Sequence, residues 1–246
     1  MLEIGISGST GRMGKALIKA IVHSEEFNLL GGVGRNENEN IGEDLGKLSG
    51  VQEIGVKLLS HLTELPKTDV LIDFSEPSFS LLTIQYCVEN SIPLVLGTTG
   101  FDKGDRESIL QASKSIPILK APNTSIGIAL LKKLIDSSAS SFSIFEDIKV
   151  TEKHHKDKKD LPSGTSLDLV NHLKGTLKIK DSIDIFSERT GDISGEHKII
   201  FSIDSEKIEI SHKTEDRSVY AEGALRAAKW LYERPKGLYS MSDIYS

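Results

Sequence analysis

Leu2-Glu3-Ile4-Gly5-Ile6-Ser7-Gly8-Ser9-Thr10-Gly11-Arg12-Met13-Gly14-Lys15 opens the chain and decides its fold class. Leu2 to Ile6 reads as a strand, and a G-x-x-G-x-x-G spacing leads from it into Lys15 to His23, which has helical spacing of apolar residues. Glycine in such a turn lets backbone N–H groups approach a pyrophosphate, while the helix N-terminus faces its charge. The spacing alone is a weak signal; its place between a strand and a helix is what gives it meaning. Gly8, Ser9, Thr10, Gly11, Arg12 and Met13 are therefore the expected phosphate loop of a dinucleotide site.

Outward from this motif, apolar runs at Leu29 to Val33, Val70 to Phe74, Leu94 to Leu96 and Ile116 to Leu119 read as strands, separated by helical patterns at Ser78 to Asn90 and Lys103 to Lys114. This alternation predicts an α/β fold, a Rossmann-type doubly wound parallel sheet whose ligand crevice lies beyond the C-terminal strand ends. About twenty residues past Gly14, where NAD would call for an acid on the adenosine ribose, the chain has Gly34 and Arg35. Guanidinium pairs with phosphate, so NADPH is the expected cofactor, with Arg12 as a second cation. Glu37 or Glu39 could reach back to a ribose, which keeps NADH open. Two rim loops, Gly97-Thr98-Thr99-Gly100 and Ala121-Pro122-Asn123-Thr124-Ser125, carry small residues and hydroxyls that let backbone groups contact a nicotinamide ribose and carboxamide.

Ile126 to Ser138 reads as a long apolar helix, after which the pattern changes. Ile199 to Ile203 and Lys207 to His212 alternate strictly and flank a polar turn at Asp204 and Ser205, which predicts a second α+β domain on an antiparallel or mixed sheet. The expected division is a dinucleotide-binding domain over 1–125, completed by 218–246 with a helix at Ala221 to Tyr232, and a substrate-binding and oligomerisation domain over 126–217.

The 246 residues suffice for a sizeable core, and the single Cys87, set in an apolar helical stretch, excludes an internal disulfide. A net charge of −6 argues against a general nucleic-acid binder. No apolar run approaches the roughly 18 residues of a membrane span, and Met1-Leu2-Glu3-Ile4-Gly5 carries no basic segment, so a soluble cytoplasmic protein is expected.

Against this acidic background stands Glu152-Lys153-His154-His155-Lys156-Asp157-Lys158-Lys159-Asp160-Leu161-Pro162-Ser163-Gly164-Thr165, two histidines and four lysines ahead of a Ser-Gly-Thr helix start. Lysines and the free N–H groups of a helix N-terminus hold carboxylates, and histidine supplies a proton near neutral pH. The combination suits a small dianion that must also be protonated. The competing reading is a solvated charged loop ending in an ordinary cap. His154 and His155 are adjacent and no second Cys or His cluster accompanies them in sequence, so no metal is expected. Glu152 is read as structural, Asp160 as a loop tie or helix cap, and Trp230 as packing. Arg189, His197, His212 and Arg217, in the β section, stay outside the expected catalytic set.

Taken together, Gly8 to Gly14, Asp73-Phe74-Ser75, Gly97 to Gly100, Asn123, the His154-His155 loop with Lys158 and Pro162 to Thr165, and the tail Gly237-Leu238-Tyr239-Ser240-Met241 resemble the 4-hydroxy-tetrahydrodipicolinate (dihydrodipicolinate) reductase family of the diaminopimelate route to lysine. The resemblance runs along essentially the whole chain, and the double-histidine loop is its most specific element. It implies His154 as catalytic acid/base and Lys158 as a proton donor, with His155, Lys158, Ser163, Gly164 and Thr165 on the substrate carboxylates. It also implies a homotetramer built through the second domain's sheet, and a final segment returning to the nucleotide domain. Gly34 departs from the acid often found there, and Leu161 from the usual alanine. The alternatives are another nicotinamide oxidoreductase, such as an amino-acid or aspartate-type dehydrogenase, and a non-catalytic dinucleotide sensor. Neither gives a use to the His154-His155 loop.

Overall fold

A computed structural model describes residues 1–156, 158, 160–216 and 218–245; Asp157, Lys159 and Arg217, named above, lie outside the described residues. The chain runs β1 (Leu2–Ser7), α1 (Arg12–Val22), β2 (Phe27–Val33), α2 (Leu45–Ser49), β3 (Leu58–Leu59), β4 (Val70–Asp73), α3 (Pro77–Asn90), β5 (Leu94–Leu96), α4 (Lys103–Ala112) and β6 (Pro117–Lys120). It continues through α5 (Ile126–Ser137), α6 (Ala139–Phe142), β7 (Asp147–His154), α7 (Gly164–Leu177), β8 (Asp184–Arg189), β9 (Gly195–Ile203) and β10 (Glu206–Thr214), and ends with α8 (Ser218–Tyr232) and β11 (Gly237–Tyr239). Two compact units result, Met1–Thr124 with Tyr220–Ile244, and Ser125–Val219 with Tyr245.

The first unit is built on a seven-stranded sheet, order β11-β6-β5-β4-β1-β2-β3, in which every neighbouring pair is parallel. This is the Rossmann-type sheet expected from the β-α alternation. The strand order turns back at β1, flanked by β2 on one side and β4 on the other, so the glycine loop after β1 sits at the switch point where such sheets bind ligands. Ile4 and Ile6 of β1 are fully buried, and α1 turns Leu17, Ile18 and Ile21 toward the sheet. Helix α1 begins at Arg12, earlier than Lys15, because the turn ends at Gly11, whose backbone is still extended (φ −70°, ψ 168°). Cys87 is fully buried, and burial pushes its thiol pKa up, as suits a core residue. On α8, Trp230 packs edge-on to Tyr239, with ring centroids 5.3 Å apart, and lies beneath Arg234.

The second unit carries a mixed four-stranded sheet, order β10-β9-β7-β8, with β7 and β8 parallel and the other pairs antiparallel. Val150 pairs with Ile199 and Ile148 with Phe201, and with Ile128, Leu131 and Ile135 of α5 and Leu169, Val170 and Leu173 of α7 these residues form its core. Phe142 stacks on Phe201 at 4.3 Å between ring centroids. Because side chains alternate along a strand, the same face continues past this apolar half into Glu152 and His154 of β7 and His197 of β9, all buried. Among the described residues no helix is long and apolar enough to cross a membrane.

Candidate functional site

In the first unit, glycine is required at the turn itself. Gly8 has φ +78°, and a Cβ there would stand 2.4 Å from the Phe74 carbonyl oxygen; one on Gly14 would stand 2.4 Å from the Gly8 oxygen and 2.5 Å from that of Ser9. The N–H groups of Gly8 and Ser9 both donate to Val33 O, at 3.0 and 3.1 Å, which fastens the loop to the end of β2. Helix α1 starts with no side-chain cap and no acid in its first turn. Its N–H groups and dipole are thus left for an anion, as a dinucleotide phosphate requires.

Asp73, fully buried at the end of β4, accepts hydrogen bonds from Ser75 Oγ (2.6 Å), Thr98 Oγ1 (2.8 Å) and Ser80 Oγ. It knots the rim loops of β4 and β5 together, and Phe74 fits beside Gly97 only because that residue lacks a Cβ, which would lie 2.2 Å from the Phe74 ring.

This packing also engages three hydroxyls. Ser9, Thr98 and Thr124 are buried, and their side chains are engaged by Val33 O, Asp73 and Tyr220 O respectively. These bonds hold the rim loops in shape. Thr99 and Pro122 are exposed on the rim, Asn123 is half-buried and Ala121 buried. At the end of β2, a Cβ on Gly34 would stand 3.4 Å from Thr10 Cγ2, so Thr10 and Gly34 meet at the phosphate loop. Arg12 is exposed and Met13 half-buried in the first turn of α1. Arg35 forms a 2.8 Å ion pair with Glu76, so a ribose phosphate would have to compete with a carboxylate for it.

In the second unit the strand-loop-helix device recurs. The loop after β7 leads through a cis Leu161-Pro162 peptide into α7, whose N-cap is Ser163. Both oxygens of Glu152 accept from the Ser163 N–H at 3.1 Å; Ser163 Oγ and Ser166 Oγ donate to Oε2, and Arg189 Nη2 donates to Oε1 at 2.8 Å. Burial would raise this carboxyl's pKa, but the hydrogen bonds from Ser163, Ser166, Arg189 and Ser187 prevail and hold it at about 2. Glu152 is structural, as read from the sequence: it joins β7, β8 and the start of α7. Arg189 also donates to Asp160 O at 2.6 Å. Asp160 serves in both expected ways: it ties Lys158, whose Nζ lies 2.7 Å from Oδ1, and its carboxylate accepts from the Gly164 N–H at the start of α7; against the effect of burial, Lys158 and these bonds lower its pKa.

His154 is 5 % exposed, and its Nδ1 lies 4.0 Å from Glu152 Oε2. Burial, then Lys158 and Arg189, outweigh Glu152 and lower its pKa to about 4. His197 stands opposite Glu152 in the β7–β9 register and packs edge-on against His154, ring centroids 5.0 Å apart and planes at 72°. Burial first, then His154, lower its pKa to about 3. His212 lies next in line, 6.5 Å from the His197 ring, with its Nε2 3.1 Å from Ser125 Oγ. Gly127 admits that imidazole, since a Cβ there would lie 2.4 Å from His212 Cδ2. His155 follows β7, half-buried, and its carbonyl accepts from the Lys158 N–H at 3.2 Å. Gly164 and Thr165 form the first turn of α7, which holds no acid.

The structure thus gathers His154, Lys158, Ser163, Gly164 and Thr165 in one strand-loop-helix segment, and adds Arg189, His197 and His212, which the sequence reading left aside. The missed signal was a polar residue on a core-facing alternation: His197 shares its face with Ile199 and Phe201, as Glu152 and His154 share theirs with Val150. His197 also corrects the premise that no further histidine accompanies His154: ligand atoms of Glu152, His154 and His197 lie within 4.8 Å of one another. A guanidinium already occupies the cation position on that carboxylate, and three hydroxyl and amide donors fill the rest. This donor set is a hydrogen-bond network built around Glu152.

The arrangement can anchor a dinucleotide in one unit, and in the other hold carboxylates beside a buried imidazole. Two family models match the chain, "Dihydrodipicolinate reductase, N-terminus" over residues 2–124 and "Dihydrodipicolinate reductase, C-terminus" over residues 127–245. Among solved structures, dipicolinate-bound dihydrodipicolinate reductase from Paenisporosarcina sp. TG-14 is similar at a TM-score of 0.78 with 22 % identity, covering 99 % of both chains. An amine dehydrogenase from Mycobacterium smegmatis matches at 0.73 with 10 % identity over 98 % of this chain and 95 % of that one. A probable dehydrogenase from Thermotoga maritima matches at 0.67 with 11 % identity over 99 % and 92 %. At these identities the structural likenesses establish the fold; the family rests on the two models, which together span both units. The chain belongs to the dihydrodipicolinate reductase family, NAD(P)H-dependent oxidoreductases that carry out a reduction step in lysine and diaminopimelate biosynthesis.

Proposed function

We propose that this chain reduces 4-hydroxy-tetrahydrodipicolinate to tetrahydrodipicolinate with loss of water, using NADPH in preference to NADH, with His154 and Lys158 as the proton donors. The observation that supports the reading is the Glu152 network, which ties the strand carrying a buried imidazole, a lysine loop and a helix start with no acid in its first turn into one piece. The similar Paenisporosarcina protein is described with dipicolinate bound, a flat ring bearing two carboxylates.

On this reading, the N–H groups of Gly164 and Thr165 at the start of α7 take one substrate carboxylate, with Ser163 holding that turn rigid. His155 and Lys158 take the other, Lys158 exchanging Asp160 for the ligand. When bound, the nicotinamide supplies the hydride. Gly8 to Met13 hold its pyrophosphate, Gly34 and Arg35 flank the adenosine ribose, and the loops at Gly97 to Thr99 and Ala121 to Thr124 line the nicotinamide side. Loss of water leaves a conjugated cyclic imine. As hydride reaches that ring, the displaced electron pair takes a proton from His154, while the carboxylate partners keep the ring oriented. The preference for NADPH is supported by the missing carboxylate at Gly34 and by the guanidiniums of Arg12 and Arg35. The second unit's sheet serves as the assembly surface of a homotetramer, and the enzyme works in the cytoplasm.

The test is oxidation of NADPH and of NADH with substrate generated in place by condensing pyruvate with aspartate semialdehyde. Turnover that depends on the condensation supports the reading and ranks the cofactors; NADPH binding without turnover overturns it.

A further inference from the structure

The free site does not store the proton that the proposed reaction needs. His154 is buried with an unpartnered Nδ1, and the carboxylate 4.0 Å away, Glu152, is already matched by Ser163, Ser166 and Arg189. Lys158 and Asp160 face it from the loop, Arg189 from β8 and His197 from β9, with His212 behind on β10. These charges cancel in pairs, Arg189 against Glu152 and Lys158 against Asp160. A proton on either inner imidazole would therefore be an uncompensated buried charge, which is costly.

The hydrogen bonds agree. Ser163 Oγ gives its proton to Glu152, so toward His197 Nε2, 3.5 Å away, it can only accept. His197 then carries its hydrogen on Nε2 and its lone pair on Nδ1, which is buried without a partner. A proton on that nitrogen would lie without an acceptor, and at 5.0 Å a charged His197 would repel a protonated His154. A ligand with two carboxylates at the start of α7 reverses the balance by bringing two negative charges and no cation.

We propose that the dicarboxylate brings its own proton: binding at this site takes up one proton from solvent onto His154, with His197 as the positioning ring that keeps His154 neutral until then. The inference rests on the dicarboxylate reading above. The proton balance closes over a turnover. Neutral imidazole gains a proton on binding, its N–H bond breaks as the new C–H bond forms on the ring, and neutral imidazole returns with product.

The experiment is calorimetric titration of the NADPH-saturated protein with dipicolinate, a dianion at neutral pH, in buffers of different ionisation enthalpy. The expected result is a buffer-dependent heat corresponding to uptake of about one proton per site, lost in His154→Gln, together with movement of the His154 ring NMR signals of the wild type to imidazolium positions. Binding with a buffer-independent heat, and an unmoved His154 signal, overturns the inference and leaves the dicarboxylate reading intact. Uptake that persists in His154→Gln overturns the assignment to His154. Failure of dipicolinate both to bind and to compete in turnover overturns the dicarboxylate reading itself.

Discussion

Glu152 and Ser163 are joined twice across the loop between β7 and α7: the Ser163 N–H donates to both carboxylate oxygens at 3.1 Å, and its hydroxyl donates to one of them. The strand that carries His154 and the helix start that presents Gly164 and Thr165 are thereby a single rigid piece.

Removing that carboxylate leaves the largely covered Arg189 guanidinium without its counter-charge and takes the carboxylate acceptor from Ser163 and Ser166. Glu152→Ala is expected to destabilise the second unit by about 3–5 kcal/mol, as breaking a buried ion pair does. Denaturant unfolding measures it, with NADPH affinity as the control for the first unit. A loss below about 1 kcal/mol would mean that the network is decorative.

Lys158→Gln is expected to raise KM for the substrate and lower kcat, with kcat/KM down roughly 10- to 100-fold, the worth of a hydrogen bond to a charged group. Steady-state kinetics decide it; an unchanged KM would place the substrate carboxylates elsewhere.

Gly14→Ala puts a Cβ into the Gly8 and Ser9 carbonyl oxygens, which are backbone and cannot swing aside. The phosphate loop must open, and NADPH affinity should fall at least about tenfold. Fluorescence titration of reduced nicotinamide tests it; wild-type affinity would show that the loop tolerates the shift and that the cradle is misassigned.

Stability of the second unit should fall on acidification. His154 and His197 have folded pKa values near 4 and 3, below the ordinary histidine value, so from about pH 6.5 downward the unfolded chain binds the protons that the fold excludes. The histidine part should flatten below pH 3, while Glu152, held at about 2, adds a loss that sets in below its ordinary value of 4.5 and continues to about pH 2. His197→Phe removes the His197 share and leaves that of His154; a wild-type acid slope in that variant would contradict the assignment.

The first unit was legible because its chemistry lies in backbone: glycines at 8, 11 and 14 announce a turn whatever surrounds it, and β1, β2, β4, β5 and β6 are apolar runs. Less could be read where neighbours decide. Helix α2 and the two-residue β3 are too short to carry a period, and β8, with Phe186 55 % exposed and both its ends charged, shows no buried stripe. In the site, the loop from His154 to Thr165 stood out by composition, whereas His197 and Arg189 enter through strand pairing more than thirty residues away in sequence, |i−j| being 37 for Arg189 and Glu152. Nor does sequence tell which way a hydroxyl turns: the partners of Ser9, Thr98 and Thr124 are Val33 O, Asp73 and Tyr220 O, none of them a near neighbour in sequence.

The most direct test of the account is the rate of NADPH oxidation with condensed pyruvate and aspartate semialdehyde, measured for the wild type and for His154→Gln alongside NADPH affinity. The account predicts that kcat falls by about 10² to 10⁴, the range for losing a general acid, with NADPH affinity unchanged; an undiminished rate, or an equal loss of NADPH binding, would contradict it.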